Sequence, residues 1–495
     1  MNEKKLFLWM LGISTFLRFF LAKIVPITGD EAYFIIWAKH LNYGYYEHPP
    51  MIGWVMWLFS FFGNDIFIFR IFPLIVIPLI AIIMVKVLSD IDKNKAFLCG
   101  SVFLLSPVSI LNVLSVNDVP LILFTFLSGI FFYRAIKTER IFDAMICGFF
   151  AGCAFLSKYF AVLLVFSLIV FCLFSRNRRV WKLALLSIPF SIPLVMVNII
   201  WNYNNCWLNI MFNLFFRNKD ASLKFYSVII FLIEQIFLMT PYLAIVFFKK
   251  KFMFFERRKI DLFWFLFITP LIFFFFISFV KNVGLHWMAS FYPFFFLLLI
   301  YLQPNILIRA LKHNLYLSVF IVVSVLVILL VPVETYKSLK KYPQTVMFLK
   351  GKELSEQINL NLDGKIPAST GYTESSIFSY YCKKDFVVFG SESRSGRFYD
   401  YITDFNLFDG KDFLIVSLDN KDTEKFSKYF KSITVKTIKI NGAEFYLISG
   451  NGFIFNNYRQ LHLTKIYNLY YHPPRWLPVK RNFFKERYLP EKVVF

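Results

Sequence analysis

Long apolar segments fill the first two thirds of the chain and restrict it to folds that place many helices in a lipid bilayer. A helix needs about 20 apolar residues to cross the roughly 30 Å of hydrocarbon in a bilayer. Segments of this kind lie near 6–25, 66–88, 96–115, 119–136, 141–157, 159–175, 181–200, 225–248, 260–280, 287–303 and 313–333. The sequence therefore predicts a mainly α-helical, multi-pass membrane protein with about 11 transmembrane helices. The segment 51–62 is shorter, and we expect it to lie along the membrane interface or to re-enter.

The composition agrees with a membrane protein. Of the 495 residues, 58% are hydrophobic and 21% aromatic, and the mean hydropathy of +0.59 is far above that of a soluble domain. We attribute the net charge of +23 to basic loops near anionic lipid and predict no nucleic-acid partner. No Walker loop or glycine-rich dinucleotide motif is present in the sequence, which argues against ATP-driven transport.

Basic residues between the apolar segments predict the orientation in the membrane. Those on one side include Arg134, Lys137, Arg140, Arg176, Arg178, Arg179, Lys182, Lys249, Lys250, Lys251, Arg257, Arg258 and Lys259. Because loops rich in Lys and Arg stay in the cytoplasm, the first loop, Asp118, the 201–224 loop and the C-terminal region are predicted to lie outside. The first segment lacks a cleavage site of small residues and is predicted to be a retained signal anchor.

The composition changes near residue 334. Alternating runs at 385–390, 412–417 and 444–449 predict strands, and 423–431 predicts a short helix. We therefore predict a transmembrane domain over 1–333, with an external loop over 27–65, followed by an external α/β domain over 334–495. This second domain ends in a basic tail, with Arg475, Lys480, Arg481, Lys485 and Arg487.

Two adjacent carboxylates, Asp30 and Glu31, directly follow the first apolar segment. Ionised groups at a membrane are costly to retain, and proton transfer or cation binding is a common reason for them. A second interpretation is that they cap a predicted interfacial helix over 31–42. Lys158 poses a related question, because an ammonium at apolar depth needs a carboxylate partner, a ligand phosphate or a path to the interface.

Several motifs occur in an order that resembles the GT-C glycosyltransferases, in particular protein O-mannosyltransferases and lipid A aminoarabinose transferases. They are Asp30-Glu31, Gly44-Tyr-Tyr-Glu-His-Pro-Pro-Met51, Ser106-Pro107 to Asn117-Asp118-Val-Pro120, Leu156-Ser-Lys-Tyr159, Asn198-Ile-Ile-Trp-Asn202 with Trp207, and His286-Trp287 to Tyr292-Pro293. This resemblance covers residues 28 to 293. The C-terminal domain carries no matching motif.

The resemblance implies a polyprenyl-phosphate-linked sugar as the donor and transfer on the outer face of the membrane. It implies that Asp30 is the base or acceptor-orienting residue, with Glu31 in a supporting role and Asp118 as a second acidic residue. The N-cap of the fourth span is the alternative for Asp118. Predicted donor or acceptor contacts are Glu47, His48, Lys158, Tyr159, Arg217, His286 and Trp287, and an interfacial anchor is the alternative for Trp287.

His48 departs from the pattern of the aminoarabinose transferases, which have Lys at the matching position. A titratable group therefore replaces a fixed charge, and loop packing is an equally open interpretation. A divalent metal ion at Glu47 and His48 is left open, because two ligands do not define a site. No other cofactor is implied.

We therefore predict a glycosyltransferase of the bacterial inner membrane with its active site and C-terminal domain in the periplasm. Lipid A or a related glycolipid is the predicted acceptor, since lipid phosphates would suit the basic tail. A protein O-mannosyltransferase is the alternative within the class. A lipid-linked-sugar flippase or transporter is the alternative from another class, although the sequence shows no repeated halves. A non-catalytic scaffold, which would tolerate loss of Asp30 and Asp118, is a third interpretation.

Overall fold

The computed structural model describes residues 2–218, 223–249, 261–474 and 476–489, which form two compact units. The helical unit comprises the described parts of Met1–Val25, Pro49–Asn198 and Asp220–Ile328. The α/β unit comprises the described parts of Pro26–His48, Ile199–Lys219 and Leu329–Phe495. Of the basic residues singled out in the sequence, Lys250, Lys251, Arg257, Arg258, Lys259 and Arg475 lie outside the described residues.

Each predicted apolar segment contains a helix. The helices are Glu3–Ile24, Met51–Ser60, Ile66–Leu88, Lys93–Leu104, Pro107–Ile110, Asp118–Thr138, Ile141–Ser157, Val162–Ser175, Arg178–Asn204, Phe225–Met239, Pro241–Lys249, Asp261–Ser278, Tyr292–Leu298 and Pro304–Leu330, with 3₁₀ turns at Tyr159–Ala161, Leu285–Phe291 and Leu299–Tyr301. Among the described residues, five of these helices are long and apolar enough to cross a bilayer. The pair Phe225–Met239 and Pro241–Lys249, bent by 98°, forms a sixth candidate, and several shorter apolar helices accompany them.

The predicted third segment, 96–115, is not one helix. Its helix ends at Leu104, and Ser106 begins the short helix Pro107–Ile110. The residue before a proline avoids the helical conformation, and Ser106 has an extended ψ of 154° while its hydroxyl accepts from the Ser109 amide. The Ser106-Pro107 pair is therefore the physical cause of the break.

Prolines inside the helix Ile66–Leu88 expose carbonyls that neighbouring side chains satisfy. A proline removes the hydrogen bond to the carbonyl four residues earlier. Pro73 thus releases the carbonyl of Phe69, which accepts from the Ser115 hydroxyl at 2.6 Å. Pro78 likewise releases the carbonyl of Leu74, where the buried Arg18 guanidinium donates at 3.3 Å. Backbone groups at apolar depth need such partners, so these contacts keep the helix intact.

Gly148 allows the helices Ile141–Ser157 and Arg178–Asn204 to approach closely. A Cβ atom at this position would overlap the backbone carbonyl oxygen of Ser187, which cannot rotate away. We expect Gly148→Ala to destabilise the protein by about 1–3 kcal/mol through overpacking. Gly12→Ala is the matched control, since Gly12 lies within the helix Glu3–Ile24 with nothing within 4 Å of an added Cβ. Thermal unfolding in detergent measures both, and equal melting temperatures would contradict the close contact.

The α/β unit contains a five-stranded mixed sheet. Its strands are β1 (Ile366–Ser369), β2 (Val387–Val388), β3 (Phe413–Ser417), β4 (Phe430–Ile440) and β5 (Ala443–Phe453), in the spatial order β2-β1-β3-β5-β4. β1 pairs in parallel with β2 and β3, whereas β5 pairs antiparallel with β3 and β4. The aromatic core of the sheet centres on Phe389, whose ring lies 5.4 Å from Phe413 and 4.8 Å from Tyr458.

The three predicted strands and the predicted helix all occur, with the helix at Asp422–Ser427, but β1 and β4 were not predicted from the sequence. β4 continues into β5 through Asn441 and Gly442, whose φ values of 48° and 78° fit a two-residue hairpin turn. The other helices of this unit are Gly29–Lys39, Leu208–Leu214, Tyr342–Leu349, Gly351–Asn359, Tyr372–Cys382, Phe398–Ile402, Phe455–Tyr458, Thr464–Tyr470 and Phe483–Tyr488, with shorter turns at Phe216–Asn218, Val333–Tyr336, Phe405–Phe408 and Arg459–Leu463.

Candidate active site

Asp118 and Lys158 form a buried ion pair in the helical unit. Lys158 Nζ lies 2.8 Å from Asp118 Oδ1, and the two side chains are only 6% and 10% exposed. Asn117 is the N-cap and Asp118 occupies the first helical position of Asp118–Thr138, so the alternative that Asp118 is the N-cap is wrong. Lys158 has an extended backbone between Ile141–Ser157 and the turn Tyr159–Ala161. Of the partners considered for Lys158 from the sequence, the structure shows a carboxylate, that of Asp118.

His286 and Trp287 lie beside this pair. His286 Nε2 is 3.9 Å from Asp118 Oδ2, and the imidazole is 56% exposed. The buried Trp287 ring lies 4.8 Å from Phe160, over which Lys158 Nζ sits at 5.2 Å. Lys281 Nζ lies 5.9 Å from the centre of the Trp287 ring. The structure thus brings together four residues singled out in the sequence: Asp118, Lys158, His286 and Trp287.

Tyr159 has a different contact from its neighbour Lys158. Its hydroxyl donates to Asn198 Oδ1 at 2.7 Å, and the helix Arg178–Asn204 supplies that asparagine. Tyr159 therefore ties the turn after Lys158 to a long helix. Such a tether restricts where the ammonium can lie.

The lysine cluster, defined as Asp118, Lys158, Lys281, His286 and Trp287, has the chemistry expected of an anion site. Its two ammonium groups outnumber its one carboxylate, and protonation of His286 would add further positive charge. A phosphate group would match this excess of positive charge.

Asp30 and Glu31 lie in the α/β unit and serve different purposes. Thr28 caps the helix Gly29–Lys39, and its hydroxyl accepts from the Glu31 amide while the Glu31 carboxylate accepts from the Thr28 amide at 3.2 Å. This reciprocal arrangement is a capping box, which confirms the capping interpretation for Glu31. Glu31 is fully buried, whereas Asp30 is exposed. Asp30 is therefore the carboxylate of the pair that a solvent-side reactant can reach.

The N-terminus of this helix is set by a close approach to the helix Tyr372–Cys382. A Cβ atom on Gly29 would lie 2.5 Å from the Thr373 side chain, so only glycine fits without displacement. The charges of Asp30 and Glu47 both reach Tyr372, whose pKa is raised to about 12 by burial and then by these carboxylates. Two carboxylates that the sequence singled out 17 positions apart therefore lie around one tyrosine.

Glu47 is buried and accepts two hydrogen bonds. Tyr33 donates its hydroxyl to Oε2 at 3.0 Å, and the Gly396 amide donates to Oε1 at 2.5 Å. Burial raises the pKa of Glu47 to about 7, against the opposing effect of these two donors and of Arg397. Neither Tyr33 nor Gly396 was predicted from the sequence. Tyr33 and Trp37 are four residues apart and share one helix face. This spacing indicates that both rings are buried, but it does not indicate that Tyr33 is a partner of Glu47.

His48 follows Glu47 at an intermediate depth, and its ring lies 6.4 Å from the Trp37 ring. Its carbonyl accepts from the Tyr45 amide at 3.2 Å, which closes the tight turn before Pro49. Within the described ranges no group of three or more His, Cys, Asp or Glu side chains is placed to hold a metal ion. The metal site left open in the sequence therefore stays a prediction that rests on two residues.

The helix Leu208–Leu214 supports the same loop. Asn209 Nδ2 donates to the carbonyls of Tyr45 and Tyr46, at 2.9 and 3.1 Å, and Asn213 Nδ2 donates to the carbonyl of Glu47 at 2.9 Å. Arg217 lies just beyond this helix, half-buried in the turn Phe216–Asn218. The structure thus places Arg217 in the same unit as Glu47.

The basic tail is partly occupied by internal contacts. Arg487 donates to the carbonyls of Asp400, Tyr401 and Thr403 at 2.7–3.2 Å. Arg481 pairs with Glu486 at 2.5 Å. Arg487 is therefore occupied within the α/β unit, Arg481 forms a surface ion pair, and Lys480 is exposed.

Comparisons with known proteins show a family model and a curated relative that resemble part of the chain. Residues 47–201 match the family model of dolichyl-phosphate-mannose-protein mannosyltransferase. Over 179 residues the chain is 26% identical to lipid A galacturonosyltransferase RgtD of Rhizobium johnstonii, a match that covers 35% of this chain and 38% of that protein. The chain thus spans less than half the length of this curated relative.

The fold is similar to that of ArnT from Cupriavidus metallidurans. The structure bound to undecaprenyl phosphate superposes with a TM-score of 0.65 and covers 89% of this chain and 97% of ArnT. The apo structure gives a TM-score of 0.64 and covers 90% and 98%. Both are 13% identical in sequence, so the likeness is one of fold.

The chain is therefore a multi-pass membrane protein with the GT-C fold, and the predicted fold class is confirmed. With the mannosyltransferase model and the RgtD match, the comparisons confirm the predicted resemblance to GT-C glycosyltransferases, whose donors are sugars linked to polyprenyl phosphate.

Proposed function

We propose that the protein transfers a sugar from a polyprenyl-phosphate donor to a glycolipid acceptor on the periplasmic face of a bacterial inner membrane. The observation that carries the proposal is the buried Asp118–Lys158 pair with His286 beside it, in a chain of GT-C fold. A fold alone does not determine a function, so the argument rests on these side chains. Two proteins that the chain resembles, a lipid A galacturonosyltransferase and an ArnT bound to undecaprenyl phosphate, support the same donor and acceptor classes.

The lysine cluster is assigned to the donor phosphate. When the sugar leaves, negative charge develops on the polyprenyl phosphate, and cations at that position stabilise it. Lys158 has further N–H groups beyond the one directed at Asp118. Asp118, whose two oxygens face Lys158 and His286, orients both cations and is a positioning residue in this proposal.

Asp30 is assigned to the acceptor. An attacking hydroxyl must lose its proton to a base within hydrogen-bond reach, and a carboxylate can take this proton. Among the two adjacent carboxylates, Asp30 is the exposed one, and Glu31 is occupied by the capping box. Glu47, His48 and Arg217 are assigned to contacts with the donor or acceptor.

Lipid A is the acceptor to test first. We expect mass spectrometry of lipid A from cells with the gene to show a sugar-sized mass increment that is absent after deletion and restored by the wild-type gene. The control is the same strain complemented with Lys312→Met, an exposed substitution far along the sequence from the proposed site. Unchanged lipid A, together with the loss of a hexose from a secreted glycoprotein, would instead favour protein O-mannosyltransfer. That alternative is supported by the family model over residues 47–201.

A further inference from the structure

We infer that the Tyr33 hydroxyl and the segment Ser391–Arg397 of the α/β unit together position the first external loop, and that they act through the Glu47 carboxylate. The inference rests on the proposed function, because the loop they position is assigned to substrate contacts. It gives the C-terminal part of the chain, which carries no family motif, a defined task in the reaction.

The Glu47 carboxylate is held on both oxygens by groups distant in sequence. The Gly396 amide reaches Oε1 from 349 positions away, and Tyr33 reaches Oε2 from the helix Gly29–Lys39. Hydrogen bonds from N–H and O–H donors to an ionised carboxylate are shorter and stronger than hydrogen bonds between neutral groups. The side chain therefore has one defined orientation.

The segment that carries the Gly396 amide is itself held by contacts of Arg397. The buried Arg397 guanidinium donates to the Ser391 carbonyl at 2.9 Å, which closes the segment on itself, and pairs with Asp400 at 3.1 Å. Asp400 in turn accepts from the Tyr471 hydroxyl at 2.8 Å. Gly396 has a φ of 83° and no room for a Cβ, which would overlap Tyr372, so another residue would displace the amide.

The same segment also contacts the residues that hold the backbone of Glu47. Arg394 donates to the carbonyl of Phe216 at 3.0 Å, next to Arg217 and just after the helix Leu208–Leu214. That helix supplies Asn213, which holds the carbonyl of Glu47. Side chain and backbone of Glu47 are thus fixed by one connected set of contacts, and a shift of about 1 Å in such a set can reduce turnover about 100-fold.

A double-mutant cycle in the full chain, with purified protein and a radiolabelled polyprenyl-phosphate sugar, tests the inference. Tyr33→Phe deletes one hydroxyl and keeps the ring; we expect it to lower kcat/KM about tenfold in the wild-type background. In the Glu47→Gln background the same change is expected to cost less than about twofold, because its effect passes through Glu47. Equal losses in both backgrounds would overturn the inference.

Tyr399→Phe is the matched control. Tyr399 stacks on the Tyr33 ring at 5.9 Å, but its hydroxyl pairs with Ser376 and not with Glu47. Its effect on kcat/KM, whatever its size, is expected to be the same in both backgrounds. A conservative series at a second contact adds to the test: Arg394→Ala is expected to lower kcat/KM and Arg394→Lys to restore part of it, since an ammonium can still reach the Phe216 carbonyl.

The cycle is also run on thermal unfolding, which separates the two hypotheses. If the wild-type protein transfers no sugar but Tyr33→Phe and Glu47→Gln are coupled in unfolding, the proposed function fails while the contact stands. If unfolding shows no coupling between them, the positioning inference is overturned whatever the transfer assay shows.

Discussion

Replacing Asp30 by Asn is expected to lower sugar transfer at least about 100-fold while leaving the fold intact. A general base contributes about 10²- to 10⁴-fold to a rate, and an amide cannot take the proton of an attacking hydroxyl. Asp30 is exposed in the first turn of the helix Gly29–Lys39, and the substitution leaves in place the capping box that Thr28 and Glu31 form. The expected cost in stability is about 0.3–1 kcal/mol, from the lost charge at the helix N-terminus. Transfer rates at equal expression and melting temperatures of the purified variants measure the two effects.

Glu31→Gln is the control for this experiment. Gln serves at the third helical position of a capping box as Glu does, so this variant is expected to keep both the fold and most of the activity. Full activity of Asp30→Asn at equal expression would remove Asp30 from the role of base. A 100-fold loss in Glu31→Gln with an unchanged melting temperature would move the assignment to Glu31.

Lys158→Met is expected to destabilise the protein by about 3–5 kcal/mol, because it leaves the Asp118 carboxylate buried without its cation. The pair is formed at 2.8 Å between side chains that are 6% and 10% exposed, so the carboxylate would be left with little access to water. Transfer activity is expected to fall as well, since the donor phosphate loses a cation. Thermal unfolding in detergent and a transfer assay on the remaining folded protein measure the two losses.

The double variant Asp118→Asn with Lys158→Met separates stability from function. Removing both charges eliminates the unpaired carboxylate, so most of the lost stability is expected to return. Activity is not expected to return, because no cation is restored at the phosphate. Lys312→Met, an exposed substitution on the helix Pro304–Leu330, is expected to change stability by less than about 0.5 kcal/mol. A Lys158→Met protein as stable as Lys312→Met would contradict the buried pair.

Local patterns in the sequence predicted much of the helical structure. Runs of apolar residues predicted where the membrane helices lie, since burying a helix in lipid requires only length and hydropathy. The capping residues Thr28 and Glu31 also act within one turn, and the capping interpretation of Glu31 is confirmed. The same kind of local signal was present but not used at Ser106-Pro107 and at Asn441-Gly442. There a helix break and a hairpin follow from the preferences of two residues.

Ion-pair and hydrogen-bond partners that are distant in sequence could not be predicted from such local patterns. The ammonium of Lys158 at apolar depth required some counter-charge, and the sequence allowed a carboxylate, a phosphate or the interface. Asp118 is that counter-charge because the turn after Ile141–Ser157 meets the start of Asp118–Thr138. Arg18 is a further case: its buried guanidinium donates to the carbonyls of Leu74, Pro73 and Asn112, and the local sequence does not predict these partners.

By itself, then, the sequence determined the class of the fold, the positions of most helices and the acidic residues worth testing. Hydropathy, capping and proline effects operate over a few residues, so they can be recognised in the sequence alone. Only the tertiary structure decided that Asp118 pairs with Lys158 and that Gly396 and Tyr33 hold Glu47. These contacts join groups 14 to 349 positions apart, and they exist because packed helices and a closed loop bring buried donors to buried carboxylates.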